Sequence, residues 1–145
     1  MKAGVDYIGV SAGAFMLNNK GEILLCKRSM LAQNEKGKWE APGGQIHFGE
    51  TRIEAIKREI KEELGVEIKI IRVLHATDEI LKHDKQHWIP TTFIAKIKKG
   101  HTPKIMEPKK CDEIGWFNLK NLPSPISYIT QLDIEEYKRQ ITLQG

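Results

Sequence analysis

The amino-acid sequence predicts a single α/β (α+β) domain with a mixed β-sheet sandwiched between helices. Two observations lead to this class: strand-like apolar segments recur along the chain, and two helical patterns interrupt them. A chain of 145 residues can enclose a core of its own without structural disulfides or metals. Because it contains no internal repeat and no linker-like stretch, residues 1–145 are expected to form one domain.

The first predicted elements are two strands joined by a turn. Residues 7–17 and 22–27 are mostly apolar, and the Asn-Asn-Lys-Gly sequence at residues 18–21 is typical of a turn. This order predicts a β-hairpin. A polar loop over residues 29–38 follows, and we expect the side chain of Trp39 to pack against this loop.

The clearest helix covers residues 51–64. Thr51 and Glu54 form a capping box, and Gly65 provides the C-terminal stop. The buried face should be formed by residues that recur three and four positions apart: Ile53, Ile56, Ile60 and Leu64.

Three more strands and a second helix are predicted in the second half of the chain. Strand-forming residues dominate three segments, 67–76, 88–98 and 113–118. Pro123 and Pro125 interrupt the chain before a helical segment at residues 126–140. With one helix before these strands and one after them, the sheet is expected to carry a helix on each side.

Composition and charge argue against several classes of protein. The 23 Lys and Arg residues and 19 Asp and Glu residues give a net charge of +4, too small and dispersed for nucleic-acid binding. No apolar run reaches the roughly 18 residues of a membrane span, and the first residues lack the apolar core of a secretion signal. Cys26 and Cys111 match neither a disulfide framework nor a metal spacing, so we expect free thiols in a cytoplasmic protein.

Three carboxylates of the first predicted helix share one sector: Glu59, Glu62 and Glu63. At about 100° per residue, their mean direction lies roughly 110° from the apolar face, at the edge of the buried surface. Like charges this close repel one another unless cations neutralise them, and Mg²⁺ or Mn²⁺ accepts several carboxylate oxygens. Taken alone, the three residues fit an ordinary charged helix surface equally well.

The motif around these carboxylates, residues 44–66, separates the two interpretations. Its order is Gly44, five residues, Glu50, seven residues, Arg58-Glu59, an apolar and a variable residue, Glu62-Glu63, a variable residue, Gly65 and an apolar residue. This order resembles the Nudix box, and every specified position is filled. Residues 22–44 and 107–123 also resemble the flanks of the box in nucleotide-pool members of the family. The resemblance therefore covers nearly the whole chain and implies the Nudix fold.

The resemblance implies hydrolysis of a nucleoside diphosphate linked to another group X, with Mg²⁺ or Mn²⁺ as cofactor. The metal ligands that it implies are Glu59, Glu62, Glu63 and the backbone carbonyl of Gly44. The catalytic set that it implies is Glu59 as a candidate general base, together with Glu62 and Arg58, which orients Glu59. Glu50 is implied as a supporting residue that does not itself touch the metal.

Further residues outside the box are candidates by the same resemblance. Glu113 is the first choice for an extra acidic ligand and Glu107 is the second. The alternative for each is that it is an ordinary solvated carboxylate in a loop. The substrate-binding candidates are Trp88, His87 and Phe93 for the base and Arg28 for a phosphate. Strand aromatics are also common core residues, so the three base candidates have packing as their alternative role.

The subtype is expected to be a nucleoside triphosphate pyrophosphohydrolase that releases the monophosphate and pyrophosphate. The ADP-ribose type has a proline and the dinucleoside-polyphosphate type a tyrosine downstream of the box, and both are missing here. The box carboxylates are intact, unlike those of the GDP-mannose type. An ADP-ribose or sugar-nucleotide pyrophosphatase and a non-catalytic nucleotide-binding module are the alternatives. The expected partner is a small nucleotide, not a nucleic acid or a membrane, and the family also includes homodimers.

Overall fold

The computed structural model describes residues 1–144, which form eight strands and two helices. The elements are β1 (Gly9–Met16), β2 (Ile23–Arg28), β3 (Trp39–Glu40), β4 (Gly43–Gln45), α1 (Arg52–Leu64), β5 (Ile68–Ala76), β6 (Glu79–Leu81), β7 (Gln86–Ile97), β8 (Cys111–Phe117) and α2 (Tyr128–Gln144). Within residues 1–144, neither helix is long and apolar enough to cross a membrane.

The strands form two sheets. The larger sheet has the order β4-β1-β7-β5, and β6 also pairs with β7. Strands β1 and β7 are parallel, whereas the other pairs in this sheet are antiparallel. The smaller sheet has the antiparallel order β3-β2-β8. The predicted class, a mixed α+β domain, is confirmed.

Each helix covers its own side of the larger sheet, as expected. Alternate side chains of a strand point to opposite faces, so β1 contributes to two apolar cores. Ala14 and its neighbours two positions away pack with the buried face of α1: Ala12, Met16, Ile56, Ile60 and Leu64. Phe15 packs in a second core with Ile134 of α2. Its ring centroid lies 4.9 Å from that of Tyr137 on the same helix.

The first helix begins and ends where the sequence predicts. Thr51 Oγ1 accepts a hydrogen bond from the backbone N–H of Glu54 at 3.1 Å, and Gly65 ends the helix with φ of 69°. The expected burial of Ile53 is wrong, because 43% of this residue is exposed. It lies in the first turn, and the contacts of α1 with the core begin later, at Ala55 and Ile56.

The prediction that the first two strands form a β-hairpin is also wrong. The turn at residues 18–21 is present, but β1 and β2 belong to different sheets and share one bridge, between Leu17 and Ile23. The strands diverge because β1 is paired on both edges by β4 and β7. Strands β3, β4 and β6 were not predicted, because they are two or three residues long and therefore too short to show an alternating pattern.

The expectation of free thiols is contradicted by a disulfide between Cys26 and Cys111. The two cysteines are separated by 85 positions, but they lie on the neighbouring antiparallel strands β2 and β8 with Cα atoms 6.1 Å apart. Sequence spacing does not reveal which strands become neighbours, so this pairing was not visible in the sequence.

Candidate active site

A cavity of about 500 Å³ opens beside β4 and is bounded by both sheets and both helices. Two groups of acidic residues line it. We call Glu59, Glu63 and Glu107 the first acidic group, and Glu40, Glu79 and Asp133 the second acidic group. Arg28 also lines the cavity and is close enough to interact with members of both groups.

Arg58 connects the carboxylates of the motif. Its Nη1 lies 2.9 Å from Glu59 Oε1, and its Nε lies 2.6 Å from Glu50 Oε2. Its Nη2 also donates to the backbone oxygen of Gln45 at 3.0 Å. The hydrogen bonds from Arg58 lower the pKa of Glu50 to about 2. One guanidinium therefore fixes the Glu59 carboxylate against strand β4 and also binds Glu50.

Gly44 lies directly against the Glu59 carboxylate. A Cβ atom at this position would lie 2.5 Å from Glu59 Oε2 and 2.6 Å from Oε1, closer than real Cβ contacts. A side chain would therefore displace the carboxylate, and glycine allows the backbone and the carboxylate to approach each other. The backbone of Gly44 and Glu59 consequently face the same small volume of the cavity.

Glu63 and Glu107 complete the first acidic group. Burial, followed by the negative charge of Glu59, raises the pKa of Glu63 well above its usual range. Within the described residues, Glu107 Oε1 is buried and has no hydrogen-bond partner. The other oxygen of Glu107 lies 3.6 Å from Lys110 Nζ. A buried carboxylate oxygen without a donor is unfavourable, so this end of the cavity has capacity for a cation.

The donor set at this end fits a hard divalent ion. Carboxylate and backbone oxygens are the ligands that Mg²⁺ and Mn²⁺ prefer, and such ions also retain several waters. In the part of the chain that the structure describes, no three His, Cys, Asp or Glu side chains form a ready metal-binding cluster. The backbone oxygen of Gly44 and water would therefore supply some of the ligands.

Two of the predicted ligands lie outside the cavity. The Glu62 side chain is 49% exposed and approaches Arg58 Nη1 at 3.3 Å. Glu113 is exposed on β8, where it pairs in register with Lys27. The structure thus brings the second-choice residue, Glu107, to the first acidic group and leaves the first choice, Glu113, on the surface of the smaller sheet.

Some of the substrate-binding candidates line the cavity and others do not. Trp88 lines the cavity, and its Nε1 donates to Gln86 Oε1 at 2.8 Å. His87 is not among the residues that line the cavity. Phe93 is 3% exposed and packs in the core beneath α1, so it has the packing role. Trp39 also packs, edge to face against Phe117 with ring centroids 5.0 Å apart.

Arg28 lines the cavity, but protein groups already occupy its guanidinium. Nη1 lies 2.7 Å from Glu40 Oε2, and Nε donates to the backbone oxygen of Asn34 at 2.9 Å. Nη2 donates to Asn34 Oδ1 at 2.9 Å. The side chain therefore fixes the loop over residues 29–38 as well as facing the cavity.

The second acidic group was not predicted from the sequence. Asp133 on α2 is 2% exposed, lies 2.6 Å from His75 Nε2 and accepts from Thr92 Oγ1 at 3.0 Å. The contact with Asp133 raises the pKa of His75. Asp133 stands between Leu132 and Ile134, and these two apolar neighbours are the local signal of its burial. Glu79 gave no signal, because its strand has only three residues.

Comparisons with known proteins agree with this geometry. The model of the NUDIX domain matches residues 8–139. The mouse protein named 8-oxo-dGDP phosphatase is 30% identical over 116 residues, which are 78% of this chain and 33% of that protein. An RNA pyrophosphohydrolase from Ruthia magnifica is 36% identical over 74 residues, which are 51% of this chain and 38% of that protein. The chain thus spans about a third of the length of these relatives.

The fold of the chain is also similar to that of solved structures. A MutT NUDIX hydrolase from Burkholderia pseudomallei superposes with a TM-score of 0.83 at 32% identity, over 90% of this chain and 98% of that one. The MutT protein from Methanosarcina mazei gives a TM-score of 0.75 at 25% identity, over 92% and 94% of the two chains. The complete motif, the domain match and these structures lead to one conclusion: the chain belongs to the Nudix hydrolase family.

Proposed function

We propose that this protein hydrolyses a nucleoside triphosphate to the monophosphate and pyrophosphate, with Mg²⁺ or Mn²⁺ as cofactor. One observation carries the proposal: three carboxylates line one cavity with an aromatic side chain, Trp88, and one of their buried oxygens has no hydrogen-bond partner among residues 1–144. The names of the relatives, a phosphatase of 8-oxo-dGDP and a pyrophosphohydrolase of RNA, support cleavage at phosphate groups.

The first acidic group and the backbone oxygen of Gly44 are the proposed metal ligands. A bound divalent ion would neutralise phosphate charge and make a bound water more acidic. Arg58 positions the Glu59 carboxylate, which we propose as the acceptor of a proton from the attacking water. Glu62 is adjacent on the helix surface and shares the contact with Arg58, so it is a further proposed contributor to this site.

The orientation of the substrate follows from charge. Lys109 and Lys110 line the cavity, and Lys110 pairs with Glu107, so this end holds cationic side chains for phosphate oxygens. The second acidic group is unfavourable for phosphates because its carboxyl groups would face further negative charge. We therefore place the phosphates at the first acidic group and the base beside Trp88.

The test is release of pyrophosphate and phosphate from a panel of nucleotides, first with Mg²⁺ and then with EDTA. The panel contains normal, 8-oxo and methylated nucleoside triphosphates, ADP-ribose, a GDP-sugar and a dinucleoside polyphosphate. Metal-dependent pyrophosphate release from a triphosphate is expected. Turnover of ADP-ribose or a sugar nucleotide alone would contradict the proposed triphosphate substrate. No turnover of any compound would favour a non-catalytic nucleotide-binding module.

Removal of the Glu107 carboxylate is expected to weaken metal binding. Glu107→Gln should lower the affinity for Mn²⁺ about tenfold, because the side chain loses its negative charge and one of its two carboxylate oxygens. Calorimetric titration of Mn²⁺ measures this directly. Glu113→Gln is the matched control, since Glu113 is exposed on β8 and should leave the affinity unchanged. If Glu113→Gln lowers the Mn²⁺ affinity and Glu107→Gln does not, the ligand role belongs to Glu113.

The proposed base site gives a second prediction. Trp88→Ala should raise KM about 5- to 150-fold, since stacking of one base on an aromatic ring is worth about 1–3 kcal/mol. His87→Ala should leave KM unchanged, because adjacent strand residues point to opposite faces and only Trp88 lines the cavity. Steady-state kinetics measures both values, and a thermal melt confirms folding because Trp88 also packs on Gly4 and Gly9. Equal KM values for the two variants would contradict stacking on Trp88.

A further inference from the structure

Gln86, the first residue of β7, places a buried amide in the wall of the cavity. It is 8% exposed and lines the cavity together with Asn34 and Trp88. Its Oε1 accepts hydrogen bonds from Asn34 Nδ2 at 2.7 Å and from Trp88 Nε1 at 2.8 Å. Its Nε2 donates to the backbone oxygen of Gln33 at 3.2 Å. A single side chain therefore joins β7 to the loop over residues 29–38.

The chemistry of the neighbouring groups determines the direction of these bonds. A guanidinium and an indole N–H can only donate hydrogen bonds. Arg28 Nη2 donates to Asn34 Oδ1 at 2.9 Å, so the amide nitrogen of Asn34 is the atom that faces Gln86. The indole N–H of Trp88 is a second donor at the same place. The amide oxygen of Gln86 accepts both bonds, which leaves its nitrogen to donate to Gln33.

The bond at Nε1 fixes the direction in which the polar edge of the Trp88 ring points. The indole lies against the backbone of Gly4 and Gly9, at positions where a Cβ atom would collide with the ring. Packing against a ring restrains its tilt but does not select one direction for its N–H group. The hydrogen bond to Gln86 makes this selection, because an indole N–H turned away from its acceptor would lose a partner inside the protein.

The same amide connects the two sheets. From β7 the bonds continue through Asn34 to Arg28 on β2, and Arg28 Nη1 lies 2.7 Å from Glu40 Oε2 on β3. Among residues 1–144, none of these bonds includes a member of the first acidic group. Loss of Gln86 should therefore disturb the end of the cavity that holds Trp88 and leave the proposed metal ligands in place.

We propose that Gln86 is a positioning residue for substrate binding, an inference that rests on the proposed function above. It holds the Trp88 indole and the loop over residues 29–38 in the arrangement that receives the nucleoside. Because it acts on the wall of the cavity and not on the reacting phosphates, its loss should weaken substrate binding without slowing the chemical step. In steady-state kinetics this combination raises KM at constant kcat.

The central test is Gln86→Met, which keeps the approximate length of the side chain but removes the amide. KM for the triphosphate that wild type hydrolyses fastest should rise about tenfold, with kcat within about twofold of wild type. Gln131→Met is the matched control, since Gln131 is exposed and its amide donates to the backbone oxygen of Ile126. It should leave both KM and kcat unchanged.

A double-mutant cycle with Trp88→Phe separates positioning from general damage. Phenylalanine keeps an aromatic face but has no N–H group to donate to Gln86. Gln86→Met should therefore raise KM only about threefold in the Trp88→Phe background, the part that comes from the loop. A merely structural loss would raise KM by the same factor in both backgrounds. Asn34→Ala removes the loop contact alone and should also raise KM about threefold, which keeps the test valid if Gln86→Met does not fold.

Exchange of the indole N–H with solvent reports the contact without substrate. The chain has three tryptophans, and the NMR signal of Trp88 is the one that disappears in Trp88→Phe. In Gln86→Met this indole N–H should exchange at least about tenfold faster than in wild type, because its hydrogen bond is lost. A thermal melt of each variant confirms that the comparison is made on folded protein.

Several results would overturn the inference. They are equal indole exchange in wild type and Gln86→Met, a fall in kcat as large as the rise in KM, equal factors in the two backgrounds of the cycle, and unchanged KM in Asn34→Ala. The hydrolysis assays also separate this inference from the proposed function. If wild type hydrolyses no triphosphate, the proposed function fails and the inference fails with it. If wild type does so and Gln86→Met keeps the wild-type KM, only the role of Gln86 fails.

Discussion

Glu59→Gln is expected to lower kcat for triphosphate hydrolysis by at least about 100-fold, and Glu63→Gln should have an effect of the same size. Each change removes one negative charge from the first acidic group and keeps the shape of the side chain. In Glu59→Gln, the contact of Arg58 Nη1 with a charged oxygen at 2.9 Å is also lost. Steady-state kinetics with saturating Mg²⁺ measures both effects.

Stability should change little in these variants, because the carboxylates repel one another and contribute no apolar packing. Glu67→Gln is the matched control, since Glu67 follows α1 and its side chain is 50% exposed. It should leave both kcat and the melting temperature at the wild-type values. Wild-type turnover in both Glu59→Gln and Glu63→Gln would remove the proposed metal site.

A single methyl group at Gly44 should have a comparable effect. In Gly44→Ala the new Cβ would lie 2.5 Å from Glu59 Oε2, so the carboxylate must leave its position against β4. We expect kcat to fall at least about 100-fold, because displacement of a reacting group by about 1 Å can cost that much. The double variant Gly44→Ala/Glu59→Gln should be no slower than Glu59→Gln within a few-fold, because both changes act through one carboxylate.

Gly43→Ala separates a damaged site from a damaged fold. A Cβ there would lie 2.7 Å from the Cα atom of Gly13, which is backbone and cannot move aside as a side chain does. This variant should melt at a lower temperature, whereas Gly44→Ala should melt near the wild-type temperature. A double variant much slower than Glu59→Gln, or a large loss of stability in Gly44→Ala, would contradict the explanation through Glu59.

The sequence predicts those features whose determinants are local. Helix α1 is specified by a capping box, a glycine stop and the three- and four-residue spacing within 15 positions. The carboxylates of the motif share this helix, so their grouping could also be predicted. The same local logic predicts the turn at residues 18–21, although not the sheets to which the flanking strands belong.

The other features depend on contacts between distant segments. The register of β8 against β2 pairs Glu113 with Lys27, and Glu107 reaches the cavity from the segment before β8; no sequence spacing reveals either placement. The pairing of Cys26 with Cys111 depends on the same register. Glu79 meets Trp88 only because a three-residue strand pairs with β7. Long-range strand pairing is set by the whole core, so one sequence without structural information leaves these residues unassigned.

The contacts of Arg58 have a mechanical consequence. A single planar group links the end of β4 through Gln45, the segment before α1 through Glu50, and the helix itself through Glu59. Sliding of α1 along the sheet would therefore break several bonds at once. These bonds thus hold the Glu59 carboxylate in its place against the Gly44 backbone. Lysine, a point charge without the planar fork, could not join three segments in this way.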